Sequence, residues 1–270
     1  MTRTALVVSD VDGTLLTKEK VLTDRAKAAV QKLHQAGIGF TITSSRPTIG
    51  MHFLVEQLAI TLPVGPFNGS SIVAPDMRPI EQHLLPAYAT QRSLDVLTDF
   101  AVDIWLFTNE RWFARNGRGE YVPREKLAIK ADPTIIDDFA PYVASACKVV
   151  GSTSDPELLI RCEQAMQQEL GAQAMAIRSQ TYYLDVTPPG HNKGTFVHAM
   201  AKRLGIATEA IVTIGDMQND IAMFKTSGAS FAMGNASDDV KQHATRVTAS
   251  NEENGFALAM ETILRENASN

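Results

Sequence analysis

The first apolar run of the chain, Ala5-Leu-Val-Val8, leads directly into Asp10-Val-Asp-Gly-Thr-Leu15. A short apolar run bounded by polar residues reads as a strand covered on both faces, the kind found in a parallel sheet. The glycine after the second aspartate lets the chain turn sharply. In an extended segment residues i and i+2 point the same way, so Asp10 and Asp12 can address one centre. Open α/β sheets collect their ligands at the carboxyl ends of strands, where this pair falls. Two carboxylates so close need a positive partner, and a hard divalent cation such as Mg2+ is a suitable one. Taken alone, the hexapeptide is suggestive but not decisive, a solvated turn being the lesser alternative.

The rest of the chain narrows the choice. A helix is expected over Thr23–Ala36, with Ala26, Val30 and Leu33 at helical spacing and Gly37 as its stop. Ile38–Thr43 reads as a second strand ending in Ser44-Ser45-Arg46. A helix over Thr48–Leu58 and a third strand over Pro63–Phe67 follow, the latter ending in Asn68-Gly69. Beyond residue 190 the alternation resumes: helix Thr195–Leu204, strand Ala210–Ile214, helix Ile221–Lys225, strand Ala229–Met233, then Asp238–His243, Arg246–Thr248 and Gly255–Leu264. Alternating strands and helices imply a doubly wound, mostly parallel sheet of the α/β class.

Residues 86–187 have a different texture. Ile104–Phe107 and Arg111–Ala114 read as two strands around a tight turn, Val143–Val150 and Tyr182–Val186 as further strands, and Pro156–Leu170 as a helix. The expected organisation is a catalytic core of residues 1–85 and 188–270 carrying an inserted α+β cap, 86–187, above the carboxyl edge of the sheet. Trp105, Phe107, Trp112 and Phe113 are expected to pack inside that cap, and Arg111 and Arg115 to lie on a solvated hairpin.

A formal charge of −5 argues against nucleic acid or an anionic membrane as partner. No apolar stretch approaches the roughly 18 residues of a membrane span, and no secretory pattern opens the chain. Cys147 and Cys162 form no ligand or disulfide pattern and read as small buried hydrophobes. The expectation is a cytoplasmic protein, monomeric or homodimeric, acting on a small molecule.

Four segments fall at strand ends: Asp10 and Asp12; Ser44 and Ser45; Lys193, in Gly190-His-Asn-Lys-Gly194; and Asp216, Asn219 and Asp220, in Gly215-Asp-Met-Gln-Asn-Asp220. Together they suit phosphoryl transfer to a carboxylate, where the barrier is largely electrostatic and positional. Asp10 would attack phosphorus to give an aspartyl-phosphate. Mg2+ would sit on Asp10, Asp216 and the backbone carbonyl of Asp12. The Ser44 hydroxyl, the Ser45 N–H, Asn219 and Lys193 would take the phosphate oxygens. Asp220 would orient Lys193 or a metal-bound water. The Asp12 side chain is then free to protonate the leaving group and later to accept a proton from water.

In this order the segments resemble the four motifs of the haloacid dehalogenase superfamily of phosphohydrolases. The long insertion before the lysine motif, and Asn68-Gly69 within Pro66-Phe-Asn-Gly-Ser-Ser71, resemble its Cof-like branch with a large α/β cap. The resemblance implies Asp10 as nucleophile, Asp12 as acid and base, and Mg2+ on Asp10, Asp12 and Asp216. It further implies that Val11 by its backbone, Ser44, Ser45, Arg46, Asn68, Gly69, Lys193 and Asn219 surround phosphate or substrate. Ser44-Ser45-Arg46 stands where the branch usually has Thr-Gly-Arg. The implied substrates are sugar phosphates and similar small phosphomonoesters. A sugar phosphomutase of the same superfamily and a non-catalytic sensor of phosphorylated metabolites are the alternatives.

Overall fold

The computed structural model describes residues 3–269. The core half begins with strand β1 (Leu6–Ser9), helix α1 (Asp24–Gln35), strand β2 (Gly39–Ile42), helix α2 (His52–Gln57) and the small hairpin β3 (Ser71–Val73) and β4 (Pro79–Gln82). The inserted half contains α3 (Ala87–Asp99), β5 (Asp103–Phe107), β6 (Trp112–Ala114), α4 (Val122–Ile129), β7 (Thr134–Ile135), β8 (Lys148–Ser152), α5 (Pro156–Leu170), β9 (Met175–Gln180) and β10 (Tyr183–Thr187). The core resumes with α6 (Lys193–Leu204), β11 (Ile211–Gly215), α7 (Ile221–Thr226), β12 (Ala229–Ala232), α8 (Asp238–Lys241), β13 (Arg246–Val247) and α9 (Gly255–Ser269).

The core sheet runs β13-β12-β11-β1-β2 with every neighbouring pair parallel. Its two covered faces explain the mainly apolar runs. Val7, Phe40, Ile42, Val212 and Ile214 pack against α1, α2 and α9, while Leu6, Val8, Ile211 and Ala232 pack against α6, α7 and α8. Strand β1 lies between β2 and β11, so Asp10, immediately beyond its end, emerges at the middle of the rim.

Helix ends follow their sequence signals. Thr23 caps α1 by accepting from the Ala26 N–H at 3.2 Å. The Asn192 carboxamide oxygen accepts from Gly194 and Thr195 at the head of α6, placing Lys193 in the first turn rather than ahead of the helix. The strand expected over Pro63–Phe67 is reduced to bridges at Val64 and Gly65, and Phe67–Gly69 forms a 3₁₀ turn. Pro63 and Pro66 offer no N–H to extend the ladder. Val143–Val150 is likewise not one strand: residues up to Ser145 form a 3₁₀ turn, and pairing starts at Lys148.

The cap is a six-stranded sheet of order β7-β6-β5-β8-β10-β9, antiparallel except where β6 meets β7. Ile104, Leu106, Val149, Leu184 and Val186 point to one face and are covered by α3 and α5. Trp105, Phe107, Val150 and Tyr183 point to the other, in one cluster with Phe67 and Ile49 of the core. The second cap face thus lies on the core, near the rim that carries Asp10. No helix among the described residues is long and apolar enough to cross a membrane.

Candidate active site

The Lys193 ammonium lies 2.6 Å from Asp10 Oδ1 and 2.6 Å from Asp220 Oδ1, and all three side chains are buried. Asp216 completes the group: one oxygen from each of Asp10, Asp216 and Asp220 lies within 4.8 Å of the others. Asp216 Oδ1 accepts from the Thr14 hydroxyl at 3.0 Å, and its Oδ2 accepts from Asn235 Nδ2 at 3.2 Å. Asp220 Oδ2 accepts from the backbone N–H groups of Asp216 and Met217, which ties down the loop after β11. Asp10 Oδ2 is buried and has no hydrogen-bond partner.

Electrostatics follow from this packing. Burial pushes the Asp10 carboxyl up to about 6, Lys193 opposes the rise, and Asp220 adds to it. Burial, reinforced by Asp10 and Asp220, drives Asp216 well above the ordinary carboxylate range. With all three carboxyls ionised, one ammonium would leave two negative charges uncompensated, which is why Asp10 and Asp216 are pushed up. Hard oxygen donors, an orphaned carboxylate oxygen and that excess charge fit a divalent cation such as Mg2+. Gly13 keeps the space open. Its φ is +86°, and a Cβ there would overlap the Asp216 carboxylate.

Asp12 differs from expectation. Its Oδ2 accepts from Arg46 Nε at 2.6 Å, and its Oδ1 accepts from Arg46 Nη2 at 2.8 Å and from Lys20 Nζ at 2.5 Å. The side chain is therefore clamped rather than free, and the two cations hold it well below the usual carboxylate range against the cost of burial. Nor does its carboxylate join the trio that suits a cation; Asp220 stands there instead, still gripping Lys193. Only the backbone carbonyl of Asp12 is left for a metal.

Arg46, expected at the phosphate, is spent on Asp12 and on the carbonyls of Gly50 and Ala128, the latter in cap helix α4. Ser44 Oγ accepts from the Arg46 N–H at 3.2 Å. The backbone of Ser45 lies outside the left-handed region, so a side chain in place of glycine is not strained there. Asn68 does adopt that region, with φ of 58°. Its carboxamide accepts from Asn219 Nδ2 at 2.9 Å and donates to Asp185 of the cap at 3.4 Å. Gly69, with φ of +82°, lets the chain pass against Phe196 and the Asn192 carbonyl. The Val11 carbonyl accepts from the N–H groups of Leu15 and Leu16, shaping the turn after β1.

Several side chains at this rim escaped the sequence reading. Lys20 follows the first motif with nothing in its surroundings to mark it. Glu125, Lys148 and Asp185 are buried cap residues. Lys148 opens β8 ahead of Val149 and Val150, Asp185 stands between Leu184 and Val186 in β10, and a charge beside such apolar residues was the available signal. Glu125, on α4, is pushed up by burial. With Asp12, Lys20, Arg46, Arg124, Trp105 and Tyr182 it borders a narrow cleft between cap and core. The cap aromatics are buried as expected, and Arg115 lies over the Phe139 ring. His191, just ahead of α6, stacks on His83 with ring centroids 3.6 Å apart.

Comparison with known proteins agrees with this architecture. Residues 7–260 match the family of haloacid dehalogenase-like hydrolases. A 5-amino-6-(5-phospho-D-ribitylamino)uracil phosphatase of Bacillus subtilis is 27% identical over 96% of this chain and 97% of its own. An HMP-PP phosphatase of Cronobacter sakazakii is 26% identical over 84% of this chain and 83% of its own. The crystal structure of a haloacid dehalogenase-like hydrolase from Bacteroides thetaiotaomicron superposes with a TM-score of 0.85 at 26% identity, covering 97% of this chain and 100% of that one. A parallel sheet ending in a buried acidic rim beneath an inserted cap, matched along nearly its whole length, means that the chain belongs to the haloacid dehalogenase-like hydrolase family.

Proposed function

We propose that the protein hydrolyses small phosphomonoesters, sugar phosphates or similar metabolites, with Mg2+ and through an aspartyl-phosphate on Asp10. The asymmetry of the Asp10 carboxyl is the observation that carries this reading: Oδ1 is held at 2.6 Å by Lys193, while Oδ2 is buried with no partner. A buried anionic oxygen left unpaired is costly unless a cation or an electrophile meets it. When bound, Mg2+ on Asp10, Asp216 and the Asp12 carbonyl would offset the charge that accumulates as a carboxylate approaches a phosphate.

In the first half-reaction an oxygen of the Asp10 carboxylate attacks phosphorus, the bond to the leaving oxygen breaks, and Asp12 supplies that oxygen with a proton. In the second, Asp12 takes a proton from the water that attacks the acyl phosphate, and inorganic phosphate departs. The Arg46 and Lys20 clamp keeps Asp12 ionised, which suits the second half. Protonation for the first half requires the substrate's own negative charge to draw Lys20 or Arg46 away. Lys193 holds Asp10 in place and shields it from the incoming phosphate. The Ser44 hydroxyl supplies a neutral donor, and the cap closes over the leaving group. The two relatives named above act on small phosphorylated molecules, which favours a metabolite as substrate.

The test is a panel of phosphomonoesters assayed with Mg2+ and with chelator, alongside Asp10→Asn. Turnover is expected only in the wild type with metal. Borohydride added during turnover is expected to reduce the acyl phosphate and leave homoserine at position 10, detectable by peptide mass. Undiminished phosphate release in Asp10→Asn would overturn the mechanism, and isomerised sugar phosphate with little free phosphate would mark a mutase.

A further inference from the structure

Lys148 is the first residue of β8 in the cap, yet its ammonium reaches the core loop that follows β2. The side chain is 5% exposed, lies over the Phe107 ring, and donates to the Ser45 carbonyl at 2.8 Å. Its carboxylate partner, Asp185 on the adjacent β10, is fully buried and sits at 3.4 Å, long for a charged pair. On the facing side of the network, Asp185 accepts from Asn68, which in turn accepts from Asn219. An ammonium buried in an aromatic setting is expensive, and hydrophobic residues of similar volume would serve packing better. Its placement therefore calls for a role other than packing.

That role follows from peptide geometry. The Ser45 carbonyl and the Arg46 N–H belong to one planar trans unit and point in opposite directions. Lys148 binds the oxygen of this unit at 2.8 Å, and the N–H donates into Ser44 Oγ at 3.2 Å. With a lone pair of Oγ already occupied by the Arg46 N–H, the Ser44 hydroxyl hydrogen is left for an acceptor other than that peptide. We propose that Lys148 is a positioning residue: from the cap, it sets the Ser45–Arg46 peptide so that Ser44 presents its hydroxyl to the phosphate. The phosphate pocket is then complete only when the cap is seated, because one of its braces belongs to the cap. This inference rests on the reading of Ser44 as a phosphate ligand given above.

Orthophosphate binding in the presence of Mg2+, followed by calorimetry, tests it without requiring turnover. Lys148→Met is expected to weaken phosphate about 10-fold to 100-fold, the size of one hydrogen bond to a charged group. It should raise KM for a small ester more than it lowers kcat. Lys148→Arg, which can still reach a carbonyl, should recover a large part of the loss. Asp185→Asn, which leaves Lys148 in place without its counter-ion, should weaken phosphate in the same direction but by less. Thermal denaturation separates these effects from misfolding. Phosphate affinity within twofold of wild type in a folded Lys148→Met overturns the proposal. Equal loss in Lys148→Arg and Lys148→Met also overturns it, in favour of general packing. A wild type that binds no phosphate instead overturns the underlying phosphate-site reading.

Discussion

Replacing Asp10 by asparagine should abolish turnover and, without metal, make the protein more stable. Asparagine has the shape of the neutral carboxylic acid, so the substitution isolates the energy of ionisation in place. A carboxyl whose pKa rises from 3.8 in the unfolded chain to about 6 in the folded one is about 3 kcal/mol worse off when ionised. The sign is set by proton binding: between these values the folded state holds the extra proton, so stability falls as pH rises. Wild type and variant should therefore melt together below about pH 4 and diverge through pH 6. At pH 7.5 the variant should lead by roughly 6 °C or more, taking about 2 °C per kcal/mol. Lys193 keeps its 2.6 Å contact with Asp220 in the variant, so no buried ammonium is stranded. Added Mg2+ should raise the wild-type midpoint at pH 7.5 and leave the variant nearly unmoved, closing the gap. Calorimetric scans in chelator and in Mg2+ at four pH values are sufficient. If Asp10→Asn melts at or below wild type in chelator at pH 7.5, the acidic rim is not held under strain and the argument for a cation there is lost.

Gly13→Ala puts a methyl group against the Asp216 carboxylate at a φ of +86°; a loss of Mg2+ binding of at least tenfold by titration calorimetry is expected in a folded protein. Arg46→Gln strips the Asp12 carboxylate of its bidentate partner and should cost about 3–5 kcal/mol of stability, read from urea unfolding. Because Asp12 is held below the usual carboxylate range, the stability from this clamp is full above about pH 4 and is lost as the pH falls further. The acid limb of the wild-type unfolding curve should flatten in Arg46→Gln.

The core was legible because strands covered on both faces demand largely apolar, fully buried runs, and Leu6–Ser9, Gly39–Ile42 and Ile211–Gly215 come close, broken only by Thr41 and Thr213 and the terminal Ser9. The segment after Pro63 was misread because two prolines interrupt a ladder that its apolar character seemed to promise. Helix α3 went unread for a different reason. Its buried face includes Thr90 and Ser93, whose hydroxyls donate to Pro86 and Ala89 in the preceding turn, so no apolar period marks it. At the site, the gathering of Asp10, Lys193, Asp216 and Asp220 followed from successive strand ends converging in a parallel sheet. The clamp on Asp12 did not, because Lys20 and Arg46 reach it from separate loops. For Lys148 and Asp185 the one signal was a charge among apolar residues, which does not say what that charge meets. Strand periodicity tells which face a residue points to, but not that this face of the cap meets the loop after β2.

The partners at this rim are far apart along the chain: Lys193 is 183 residues from Asp10, and Asp216 is 202 from Thr14. During synthesis the ribosome therefore releases the whole cap before the residues that complete the rim. A chain not yet synthesised past residue 192 carries Asp10 without Lys193, Asp216 and Asp220, the groups that surround it in the finished fold. The acidic rim is complete only once β11 lies beside β1.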